Sequence, residues 1–269
     1  MRIFLFDARK LQTAVWLVLF LLVWEGVAWS IRHWIPVTQP ETKWPYFTDV
    51  MTYVFANLGM LFKQGGITFA NALSGFAIGS LVGLLLALIM SLSATIERII
   101  TPYIVSSQMV PIVGLAPIVF GILRDADMSR ISMAAYVTFF PVAINALSGL
   151  SSIPSEKKEL FASYASSKPV YYWKLALPSA LPYLFLGMKL AAPLSITASI
   201  VVELMGAPNG IGVTMVSSLY YGSSQSTLFW ATLFFSALIG LAAYLVISVI
   251  ERVATPWQPE FRSTGGGNT

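Results

Sequence analysis

The chain has 269 residues, of which 57% are apolar and 10% charged, with a net charge of +4. Soluble domains sit nearer about 45–50% apolar and about 25% charged, so lipid must cover part of this surface. The sixteen Lys and Arg residues form no basic stripe with aromatic platforms, cysteine is absent and His33 is the one histidine, which argues against nucleic-acid binding, disulfides, thiolate metal sites and a histidine-based intramembrane triad.

A helix needs about 20 apolar residues to cross the hydrocarbon layer. Six runs qualify: 13–31, 67–92, 99–123, 131–150, 181–205 and 227–250. Arg2, Arg9 and Lys10 precede the first, as in a signal peptide. Its length, Glu25 near its end and the lack of a small-x-small cleavage site favour a retained span. The expected organisation is a cytoplasmic N-terminus 1–12, a transmembrane domain 13–255 with a cytoplasmic loop 151–180, and a flexible, glycine-ended cytoplasmic tail 256–269. With the N-terminus inside, ten Lys and Arg residues face the cytoplasm and five face out, leaving Lys189 within the fifth span. That bias predicts both termini inside.

Outside the spans, 32–66 is long and faces outward, and its part 45–62 has the apolar spacing of a short interfacial helix. The segment 207–226 carries no charge and contains Asn209-Gly210-Ile211-Gly212, which predicts a turn and a short helix at the outer mouth. Within the spans, Gly75, Gly79 and Gly83 recur every four residues and share one helix face, a seam where another backbone can approach. Prolines 102, 111, 117, 141 and 193 interrupt three spans and predict kinks. Ionisable residues there are few. Lys189 and Glu25 lie near span ends and are expected to snorkel to the headgroups. Glu203, beside the glycine-rich outer segment, is a candidate for the outer mouth or pathway together with Gly210 and Gly212. No phosphate loop is present, not even a Gly-Lys dipeptide, so nucleotide chemistry would belong to another subunit.

The most informative stretch is 159–189, ELFASYASSKPVYYWKLALPSALPYLFLGMK. Residues 156–165 suit a helix, 165–169 a small polar turn, and an amphipathic segment then leads to Leu177-Pro178. Such a knob between the fourth and fifth spans needs a protein groove to cover it, and a structured loop of this length is more often functional than a plain connector. It resembles the EAA loop of ATP-binding-cassette (ABC) importer permeases: Glu159 matches the acidic position, Ala165 stands where the family usually has Gly, and Leu177-Pro178 match the close. GFAIG at 75–79, Pro102, Pro111, Pro117, FFPVAINALSGL at 139–150 and Glu203 followed by Gly210-Ile211-Gly212 extend the likeness toward the nitrate/sulfonate/taurine branch. Phe161-Ala162 replace the branch's small pair. Arg124-Asp125-Ala126-Asp127 is more charged than the branch usually is, and relatives in the broader group carry riboflavin or pyrimidines. Alanine at 165 is costly if that turn needs positive φ and harmless if it is helical.

The resemblance implies an all-α membrane protein with six transmembrane helices in the type I ABC-importer permease fold. It implies a non-catalytic subunit in a bacterial inner membrane, a homodimeric pore, and a binding protein that delivers a small solute. An ATP-binding subunit would dock on Glu159, Ala162, Ala165, Ser166, Ser167 and Lys168, with ATP held there and no cofactor on this chain. The alternative, an ion-gradient-driven secondary transporter, requires midplane carboxylates and an inverted repeat; the acidic residues here sit at span ends.

Overall fold

The structure, a computed structural model, describes residues 8–35, 43–220 and 226–258. Of the tail 256–269 expected to be flexible, residues 259–269 lie outside the described residues. Every regular element among those described is helical: α1 Ala8–Trp34, α2 Phe47–Ala56, α3 Leu58–Ser91, α4 Ala94–Ser107, α5 Ile112–Leu123, α6 Ala126–Ser151, α7 Ser155–Ser163, α8 Lys168–Tyr171, a π-helical turn Tyr172–Ala176, α9 Leu177–Glu203, α10 Ile211–Tyr220 and α11 Ser226–Ala254. Five stretches are long and apolar enough to cross a bilayer: Leu11–Trp34, Leu58–Ser91, Ala126–Ser151, Lys168–Glu203 and Ser226–Ala254. Helices α4 and α5 reach that length only as a pair, bent by 90° at the break between them, the form of a broken span or a re-entrant loop.

Three boundaries differ from the sequence reading. The third span, expected to be continuous over 99–123, breaks between Ser107 and Ile112. Pro111 supplies no N–H and biases Val110 away from helical backbone, so the chain stops and restarts with Pro111 as the N-cap of α5. The second span starts at Leu58, not at 67. Lys63-Gln64-Gly65-Gly66 reads as a boundary, yet a helix absorbs glycine at about 1 kcal/mol each when its flanks are apolar. The interfacial helix expected over 45–62 is therefore α2 followed by the first turns of α3. The fifth span is helical from Lys168. Pro178 would clash with the carbonyl four residues back, and the π-turn just before it re-registers the backbone, with Leu177 N–H donating to Tyr172 O.

The chain divides into two compact units. The first, residues 1–63 and 214–235, is knit by aromatic rings. Trp24 meets Trp44, Phe47 and Trp230 with centroids 4.8–6.1 Å apart, and its indole N–H donates to Pro45 O at 3.1 Å. Rings with one apolar end and one polar end suit the membrane–water boundary.

The second unit, 64–213 and 236–269, is organised around α6. A Cβ on Gly79 would stand 2.5 Å from Ala135 O, and one on Gly83 2.6 Å from Phe139 O; at Gly75 it would strike Ile131 O. All three glycines therefore lie against the α6 backbone. Alpha9 crosses the same helix as closely: a Cβ on Gly187 would be 2.6 Å from Pro141 O, and one on Gly149 2.8 Å from Tyr183 Cβ. Close approach maximises van der Waals contact, the main driving force between helices in lipid.

Candidate functional site

One end of the second unit holds a buried ionic cluster. The side chains of Arg130, in the second turn of α6, and Glu203, the last residue of α9, are both fully buried, with Nε 3.3 Å from Oε1. Glu203 Oε1 also accepts from Thr68 Oγ1 of α3 at 2.7 Å, and its Oε2 accepts from Gly212 N at 2.7 Å. Arg130 donates to Asp127 Oδ1 at 2.6 Å, to Asn209 Oδ1 at 3.0 Å and to Asn209 O. Gln64 Oε1 accepts from Gly210 N at 2.8 Å, and Thr68 Oγ1 accepts from Ile211 N at 3.0 Å. Three helices, α3, α6 and α9, thus grip the 206–212 turn through its backbone. Breaking such a buried pair by removing one partner costs about 3–5 kcal/mol.

The glycines of that turn are explained by the carboxylate. A Cβ on Gly210 would fall on the Glu203 carboxyl group, and one on Gly212 would lie 2.9 Å from Glu203 Cβ. Gly210 also has φ +117° and Gly206 φ +107°, backbone that other residues rarely adopt. Glu203, Gly210 and Gly212 therefore face protein in this structure and not an open mouth: both carboxylate oxygens are already engaged. The cluster is a clasp. Arg130, Thr68 and Gln64 escaped the sequence reading, which took Asn209 only as part of a turn and Arg130 as one of the five charges facing out. The available signal was Asp127 three residues before Arg130, an i,i+3 pair at the start of an apolar helix.

At the other end lies the loop of Glu159. Alpha7 ends in a Schellman arrangement: Ser166 N donates to Phe161 O at 3.1 Å and Ala165 N to Ala162 O at 2.9 Å. Ala165 takes the left-handed position with φ +47°, so of the two conformations open to it the turn adopts the costly one. Ser166 Oγ also donates to Phe161 O, and Ser167 is the N-cap residue of α8, which begins at Lys168. Glu159 and Ala162 lie on exposed parts of α7. Leu160, Tyr164 and Trp173 stand 52%, 78% and 74% exposed, beside Glu156, Lys157, Lys158 and Glu159. This element is polar enough to lie outside the bilayer yet presents large apolar side chains, as protein-docking surfaces do.

Lys189 does not snorkel. Its Nζ is 2.7 Å from Glu251 Oε2, with the two side chains 18% and 9% exposed, so the charge is neutralised between α9 and α11.

A comparison with protein families matches residues 79–255 to the binding-protein-dependent transport system inner membrane component. The chain belongs to that family. It is the transmembrane permease subunit of an ABC importer. Similar proteins include the formylaminopyrimidine transport permease ThiX of Halalkalibacterium halodurans, 27% identical over 93% of this permease and 97% of that protein. The riboflavin transport permease RibX of Chloroflexus aurantiacus is 26% identical over 94% and 92%. The nitrate import permease NrtB of Synechococcus elongatus is 25% identical over 91% and 90%. Among solved structures, the permease shares its fold with a chain from the crystal structure of an amino acid ABC transporter with histidines. The TM-score is 0.59 at 15% identity, covering 77% of this permease and 98% of that chain.

Proposed function

We propose that two copies of this permease enclose the solute pathway of an importer and that each grips one ATP-hydrolysing subunit through α7, the 164–168 turn and α8. One observation carries the reading: Lys168–Glu203 is a single helical run that joins the exposed apolar knob at one end to the buried clasp at the other. A push on α8 therefore reaches the outer turn through one continuous rod, yielding first at the π-turn. Such coupling needs two packings of similar energy; small-residue seams and a broken crossing supply the freedom to exchange them.

The solute is small and polar: an anion of the nitrate, sulfonate or taurine kind, or a vitamin precursor such as riboflavin or a pyrimidine. The relatives' substrates support that range. An extracytoplasmic binding protein delivers it at the outer side near 206–220, both termini are cytoplasmic, and ATP is held by the partner subunit alone. In proteoliposomes holding the permease with its ATPase subunits, Glu159→Lys and Ser166→Trp should abolish uptake while ATP hydrolysis continues. Normal uptake by both variants would refute the docking assignment.

A further inference from the structure

The break between α4 and α5 has a definite depth. Tyr136 Oη donates to Ser107 O, and Tyr136 stands about 15 Å from the outer end of α6, a helix of about 39 Å. Packing agrees on both sides of that point. Ile104 of α4 shares a core with Ala143, Ala146 and Leu147 of the inner half of α6. Ala116 of α5 shares one with Met133 and Val137 of its outer half. The chain therefore stops being helical near the bilayer midplane.

There the backbone is irregular and the side chains are open. Ser106, Gln108, Met109, Val110 and Pro111 are all exposed, and neither Ser106 Oγ nor the Gln108 amide has a partner among the described residues. Pro111 O accepts from Gly114 and Leu115, whereas the N–H groups of Ile112 and Val113, at the first two positions of α5, precede any acceptor within their own helix. In hydrocarbon such groups are not tolerated; non-helical backbone occurs at this depth only against protein or water. An apolar partner helix would leave the amide as stranded as lipid would. Water satisfies it.

We infer that the 106–111 break opens onto the aqueous solute pathway, with Ser106 and Gln108 as its polar lining at the midplane. The inference rests on the permease reading and adds where solute passes. The carboxamide offers both donors and an acceptor without charge, which suits a polar solute rich in hydrogen-bonding groups.

The chain has no cysteine, so single cysteines can be introduced into an unmodified background. Ser106→Cys and Gln108→Cys are compared with Leu81→Cys in the assembled importer in proteoliposomes, using a small charged methanethiosulfonate. Leu81 is 59% exposed and lies at the same depth, between Gly79 and Gly83, which rest on Ala135 and Phe139. Thiolate forms readily in water and is suppressed in apolar surroundings, so positions 106 and 108 should react about a hundredfold faster than 81, and modification at 108 should block uptake. Reaction at 106 and 108 no faster than at 81, with and without ATP, overturns the inference. So does spontaneous disulfide formation between two copies through Cys at 108, which would make the break a subunit seam. Failure of the cysteine-free parent to accumulate solute would instead strike the permease reading, which the labelling rates do not test.

Discussion

Ala165→Gly should stabilise the 164–168 turn. At φ +47° the alanine Cβ crowds its own backbone, which costs an L-residue roughly 1–2 kcal/mol relative to right-handed helix. Glycine removes that cost but gains freedom in the unfolded chain, which returns about 0.4–1 kcal/mol. Nothing else changes sign: the hydrogen bonds from Ala165 N and Ser166 N are backbone bonds that glycine keeps, and Ala165 is exposed, so its methyl group buries little. The net gain is about 0.5–1 kcal/mol, or a two- to fivefold shift in the local opening equilibrium. Amide hydrogen exchange in lipid nanodiscs reads it directly, as two- to fivefold slower exchange at 165 and 166. Ala165→Val should exchange faster than the parent, because a branched Cβ tolerates the left-handed region least. Glycine exchange equal to or faster than the parent's would refute the backbone argument.

The remaining predictions concern the transmembrane unit. Glu203→Gln leaves Asp127 as the one carboxylate on buried Arg130 and turns an amide donor toward Thr68 or Gly212, so stability should fall by about 3–5 kcal/mol; the double variant with Arg130→Met should recover part of it in detergent melting curves. Gly79→Ala pushes a methyl group 2.5 Å from Ala135 O and should cost about 1–3 kcal/mol. Gly114→Ala, where the added Cβ meets nothing within 4 Å, should not show such a loss. Lys189→Met strands the Glu251 carboxylate and should lower the melting temperature more than Lys189→Met with Glu251→Met, measured in the same lipid; equal losses would show that the pair is not coupled.

Much of the architecture was legible because lipid imposes a length on apolar runs and a four-residue period on close-packed faces. Gly75, Gly79 and Gly83 could be assigned to a packing face without coordinates, since small residues at that spacing have one use in a helix. The same logic failed at 99–123, where hydropathy stays high across Pro111 while the backbone turns by 90°; a hydropathy sum is blind to the missing N–H. It failed at 58–66 for the opposite reason, since polar and glycine residues look like an end but stay helical.

The buried clasp lies at the limit of what one dimension contains. Composition and spacing determined that the chain crosses a membrane and that Gly75, Gly79 and Gly83 share one packing face, because solvent and helix period act on neighbours along the chain. Tertiary structure alone decided that Glu203 belongs to Arg130, 73 residues away, and to Thr68, 135 residues away. It also decided that Lys189 belongs to Glu251 and that Ala165 is left-handed. A charge in a low-dielectric interior must find its counter-charge wherever the fold brings one, and no local pattern records where that will be.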